Sequence, residues 1–141
     1  MKLIHKTFWV LGLLLFFNGC NQFEKKQAAI FLEVYFLDPG LKFPMNISCQ
    51  ALRSEMLKER VKYKLIDNED TLKLFQRYYN QLKNDTTQIN FDVKMQVIYH
   101  NHAQVDSLCM GSNFNITVNG VKKKESKDFH NFIRSNVYGA H

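Results

Sequence analysis

The sequence predicts an α+β domain: an antiparallel sheet with two amphipathic helices packed on one face and solvent on the other. Three observations carry this prediction. From Ile89 to Tyr99 the residues Ile89, Phe91, Val93, Met95, Val97 and Tyr99 alternate with Asn90, Asp92, Lys94, Gln96 and Ile98, the period of a half-buried strand. Leu72, Phe75, Tyr79 and Leu82 recur instead at helical spacing and would lie on one helix face. Phe129, Phe132, Ile133 and Val137 form a second such stripe near the end of the chain.

In chain order, Ala29 to Leu37 is dense in β-branched and aromatic residues and predicts a strand buried on both faces. Asp38-Pro39-Gly40 supplies turn chemistry. Met45 to Leu52 alternates Met45, Ile47, Cys49 and Ala51 against polar neighbours and predicts a second extended segment, while Ser54 to Glu59 fits no single period. Arg60 to Leu65 alternates again, with Val61, Tyr63 and Leu65 turned away from Arg60, Lys62 and Lys64.

The first helix begins where Asp67 or Asn68 can accept from free N–H groups, with Glu69 and Asp70 at the positive end of its dipole. It ends around Lys83 to Asp85. The strand from Ile89 turns near Asn101-His102 into Ala103 to Met110. Gly111-Ser112-Asn113 turns that into Phe114, Ile116 and Val118, and Asn119-Gly120 suits a two-residue hairpin into Val121 to Lys124. Ser126 can cap the final helix.

The first twenty residues have a different character. Lys2 and Lys6 precede an apolar run of eleven residues, Thr7 to Phe17, well short of the roughly 20 needed to span a bilayer. The run closes on Phe17-Asn18-Gly19-Cys20. This segment resembles a bacterial lipoprotein signal peptide with its lipobox; Gly19 and Cys20 match the two strictest positions, and Phe17 and Asn18 depart from the commonest residues. An ordinary secretory signal or an N-terminal anchor is the alternative. The resemblance implies a signal peptide over residues 1–19, cleavage before Cys20 and lipidation of Cys20, whose acyl chains would hold the protein on a membrane of the bacterial cell envelope. Residues 20–27 then form a short polar tether, and 28–141 a single domain.

Removing residues 1–19 takes away Lys2 and Lys6 and no acid, so the net charge falls from +6 to +4. That excess is mild and unclustered, and with an exported location it argues against a nucleic-acid partner. Cys49 and Cys109 remain. In an exported chain such a pair predicts a disulfide, closing a loop that the chain-entropy model values at roughly 4 kcal/mol. Two separate buried thiols are the alternative.

Candidate chemistry is sparse. His100 and His102 would point the same way if the strand continued through both, with Asp106 as a third metal ligand, but two polar residues at a hairpin tip are more ordinary and no metal is expected. Asp70-Thr71-Leu72, Asp85-Thr86-Thr87 and Asp106-Ser107-Leu108 look like the short pattern O-glycosylated in exported proteins of one bacterial group, and only Asp85-Thr86-Thr87 falls in an exposed loop. Lys122-Lys123-Lys124 and Lys127 could rest on anionic headgroups, but a solvated edge strand protected by its lysines is the more ordinary reading. The sequence has no nucleophile elbow, phosphate-binding glycine loop, His-Glu-x-x-His helix or Cys-x-x-Cys pair, so neither an enzyme nor a cofactor is expected. The expectation is a non-enzymatic envelope lipoprotein that binds a protein or another envelope component. The alternative is an inhibitor or immunity-type protein acting on an envelope enzyme or toxin.

Overall fold

The computed structural model describes residues 29–87 and 90–139. Cys20 with its signal and tether, Ile89 at the start of the alternating segment, and His141 lie outside the described residues. Among the described residues, no helix is long and apolar enough to cross a membrane.

Six strands form one antiparallel sheet and two helices complete a mixed α+β fold. The strands are β1 (Ile30–Phe36), β2 (Lys62–Ile66), β3 (Val93–Asn101), β4 (Gln104–Gly111), β5 (Ile116–Val118) and β6 (Val121–Lys123), in the order β2-β1-β3-β4-β5-β6. The helices are α1 (Glu69–Asn80) and α2 (Lys127–Tyr138). Both start on the residues suited to capping them: Asn68 Oδ1 accepts from the Thr71 N–H at 3.1 Å, and Ser126 Oγ accepts from the Phe129 N–H at 3.3 Å. The Asn119-Gly120 turn has φ of 49° and 79°, the left-handed pair that a tight hairpin requires and that Asn and Gly tolerate.

Alternation along the strands divides their apolar residues between two cores. The first gathers Leu32, Val34 and Phe36 of β1 and Met95, Val97 and Tyr99 of β3, with Leu108 and Met110 of β4, and adds Phe75 of α1 and Phe129 and Ile133 of α2. Its aromatic centre is Phe75, whose ring lies 4.9 Å from Tyr99 and 5.7 Å from Phe129 between centroids. The second core joins Cys109 and Val93 to Leu37, Ile47, Leu52 and Leu57. It is roofed by segment 38–61, which carries two short 3-10 turns, Ala51–Arg53 and Glu55–Leu57.

Four sequence expectations change here. Met45 to Leu52 is not a strand. The Ser48 carbonyl accepts from Leu52 N and the Ser48 hydroxyl from Ala51 N, so serine draws the backbone into a turn instead of a ladder. The solvated sheet face is partly covered, because Gln96, Ile98 and Cys109 are buried. In β2 the alternation holds but its sense is reversed: Ile66 joins the first core while Tyr63 and Leu65 stay about half exposed. Val34 faces Lys64 across β1 and β2, and Lys64 Nζ donates to the Asn136 carbonyl at 2.5 Å, so a lysine stem occupies a position the pattern reserves for an apolar side chain. The β6 edge is not bare, since Lys83–Asp85 pairs along it through an Asn84–Lys123 bridge.

Candidate functional site

Strand alternation places Phe31, Glu33 and Tyr35 of β1 on the opposite side from Leu32, Val34 and Phe36. Register sets the neighbours. Tyr63 and Leu65 lie across from Tyr35 and Glu33 on one side, while Ile98 and His100 lie across from Glu33 and Phe31 on the other. Val105 follows across from His100. Segment 38–61 covers the Cys109 end of this face and leaves these residues at its margin or beyond. Tyr63, Leu65 and Val105 are 53%, 48% and 54% exposed.

Glu33 is the hub of the uncovered half. His100 Nε2 lies 2.8 Å from Glu33 Oε2, and because a carboxylate only accepts, the ring N–H is the donor. The Tyr63 and Tyr35 hydroxyls approach Glu33 Oε1 at 3.4 and 3.5 Å, long contacts that leave that oxygen weakly engaged. Phe31 stacks on His100 with centroids 4.1 Å apart and planes at 13°. Tyr35 and Tyr63 lean together at 5.2 Å, and Arg53 of the roof places its guanidinium 5.3 Å from the Tyr35 centroid. Packing around the Tyr63 hydroxyl, and then the Glu33 carboxylate, push its pKa above the ordinary tyrosine value, so it stays a neutral donor. Chemically this is a partly buried carboxylate ringed by four aromatic side chains, beside a shallow cleft of about 230 Å³ that Tyr35, Tyr63 and Arg53 line.

The residues singled out from sequence are distributed differently. Cys49 and Cys109 do form a disulfide, with Cα atoms 5.8 Å apart, and it pins segment 38–61 to β4 beneath the roof. His100 and Asp106 do not converge: His100 lies on the Glu33 side, while Asp106 faces Tyr99 and accepts from Tyr79 Oη and Asn119 Nδ2, both at 2.8 Å. His102, at φ 56°, turns out of the strand and lines a cleft of about 460 Å³ with Ile30, Asp67 and Leu72. Among the described residues no cluster of metal-ligating side chains is present.

The buried Asp106 is a structural carboxylate. Burial alone would raise its pKa, but hydrogen bonds from Asn119, Tyr79 and Gln104 outweigh that and hold it below the ordinary aspartate value. Thr86 and Thr87 are exposed, as a modifiable loop would be, although Thr87 is already engaged by Asp85 and Lys122. The Thr87 N–H and the Lys122 ammonium pull Asp85 down to about 2. Asp85, Thr87 and Lys122 line a cleft of about 740 Å³, with the disulfide also in its wall.

Sequence reading missed the Glu33 cluster. The available signal was a lone acid at the centre of an apolar strand, Phe31-Leu32-Glu33-Val34-Tyr35. No protein-family model matches this chain, and neither do any curated proteins or solved structures.

Proposed function

We propose that this protein is a lipid-anchored lipoprotein of the bacterial envelope whose domain binds another envelope protein through the uncovered half of its sheet, without catalysing a reaction. In this reading both helices cover one face of the sheet, and segment 38–61 covers part of the other. The remainder of that second face is the contact surface. The observation that carries the reading is the grouping of exposed Tyr63, Leu65 and Val105 around the Glu33 carboxylate, an apolar patch with a polar centre.

The anchor supports the same arrangement. A tether over residues 20–27 reaches about 28 Å at full extension, and it leads into β1 directly beside Phe31. A partner would therefore meet this face close to the membrane. The lipid is tested by mass spectrometry of the mature N-terminus, where a diacylated Cys20 is expected and an intact Met1 start would contradict it. The surface is tested by placing a photo-cross-linking residue at position 65 or at position 73 on α1, in the membrane-bound protein. One stoichiometric adduct from position 65 and none from position 73 is expected; the reverse pattern would overturn the assignment of the face.

A further inference from the structure

The chemistry of the Glu33 cluster specifies what a partner presents there. We infer that Glu33, with Phe31, Tyr35, Tyr63 and His100 around it, is a receptor for an arginine side chain of the bound protein. This rests on the reading of the sheet face given above.

Compare Glu33 with the other carboxylates that the fold at least partly buries. Asp85 and Asp92 each hold a lysine within 3.0 Å, and Asp106 is saturated by neutral donors. Among the described residues no lysine or arginine pairs with Glu33. Its side chain is 27% exposed, and Oε1 has only the two long tyrosine contacts. It is an anion with acceptor capacity left over and a low-polarity surround, and a cation that brings its own N–H donors satisfies both features.

The rings select the kind of cation. A guanidinium is planar and weakly hydrated, stacks on aromatic faces and donates two parallel N–H groups to one carboxylate, whereas an ammonium is a strongly hydrated point charge. A guanidinium already lies against the adjacent ring, where Arg53 sits over Tyr35. Tyr63, half exposed and only 3.4 Å from Oε1, can swing aside to admit the incoming group without disturbing the core. The site lies on an open face rimmed by Leu65 and Val105, so its ligand is an arginine carried on a protein surface rather than a free small molecule.

The test is an NMR titration of the full chain in detergent, reading the ring signals of Phe31, Tyr35, Tyr63 and His100. The probes are the acetylated amides of arginine, lysine and norleucine. Arginine should shift these signals saturably, lysine about tenfold more weakly, and norleucine not at all. Glu33→Gln should weaken the arginine response at least about tenfold. If Glu33→Gln unfolds, as its amide spectrum would reveal, Tyr63→Leu at the exposed rim serves in its place and should also weaken it.

An equal response to norleucine, a stronger one to lysine, or an arginine response unchanged in both variants overturns the inference. Ring shifts that grow with protein concentration alone would mean a second copy fills the site. An arginine response that appears only once Lys25 and Lys26 are replaced would mean the chain's own tether does. Either result also overturns it. A failed titration with cross-linking retained at position 65 removes the arginine assignment alone; loss of cross-linking there removes the face.

Discussion

Val93 and Met95 lie two residues apart in β3 yet enter different cores, Val93 joining Leu37 and Ile47, and Met95 joining Phe75 and Ile133. A bulge between them causes this. Val93 pairs with Gly111 and Met95 with Met110, so one extra residue in β3 flips the side-chain alternation. The flip brings Val93 into the second core beside the roof segment. The Val93 N–H donates to the Ile47 carbonyl at 2.9 Å, and Asp92 Oδ1 accepts from the Ile47 N–H at 2.8 Å, so the roof is hung from the bulge itself.

Gly111 makes the bulge sterically workable. A Cβ there would fall 2.7 Å from Phe91 Cδ2 and 3.1 Å from the Asp92 carbonyl oxygen. Gly111→Ala should therefore destabilise the fold by roughly 1–3 kcal/mol, measured by denaturant titration. An unchanged midpoint would mean that Phe91 and the bulge move aside freely.

The disulfide should stabilise the roof more than the sheet. Cys49→Ala with Cys109→Ala should cost on the order of 4 kcal/mol in global stability. In hydrogen exchange, residues 45–57 should lose protection before β1 or β3 does. Uniform loss across the sheet would show that the bridge acts on the whole domain instead.

His130 gives the fold a pH dependence. Its Nε2 bonds the Gly111 carbonyl at 2.8 Å and its Nδ1 is buried without a partner, so burial pushes its pKa below 6.5. The unfolded chain binds the proton first. The stability from keeping His130 neutral is thus complete above pH 6.5 and is lost as pH falls through the lowered folded value. Unfolding curves should show weakening that begins below pH 6.5, and His130→Gln, which keeps a donor but does not titrate, should flatten it. A slope of equal size in the variant would assign the effect elsewhere.

Asp106 adds a second, more acidic step. Its depressed pKa contributes stability above the ordinary aspartate value of 3.8 and loses it below. Asp106→Ala should cost about 1–3 kcal/mol at neutral pH, because the Tyr79 hydroxyl and the Asn119 amide would be left without their acceptor. Calorimetry at pH 7 and pH 3 should find a smaller cost at the lower pH, the remainder being that of the unpaired Tyr79 and Asn119 donors.

Local chemistry explains how much was legible in advance. Asn68, Ser126 and Asn119-Gly120 act on backbone within a few residues, and both helices and the last hairpin fall where these residues place them. Apolar alternation found β3, and the turn at Asn101-His102 led to β4. The density of β-branched and aromatic residues found β1, although β1 is buried on one face only, its Phe31, Glu33 and Tyr35 being partly exposed. The bulge was hidden because a period-two pattern in sequence does not reveal an unpaired residue. Met45 to Leu52 misled because alternation is only a pattern until a neighbouring strand pairs with it. The site was least legible: Glu33 and His100 are separated by 67 positions and meet only through β1–β3 register.

Radical footprinting of the protein in its own membranes, compared with the purified chain in detergent, tests the central claim most directly. Tyr63 reports on the open face, and Met45 and Met56, 64% and 72% exposed on the roof segment, serve as internal references. The proposed surface predicts that Tyr63 is protected in membranes while Met45 and Met56 oxidise equally in both preparations. Equal oxidation of Tyr63 in the two, with protection moved to Met56, would contradict it.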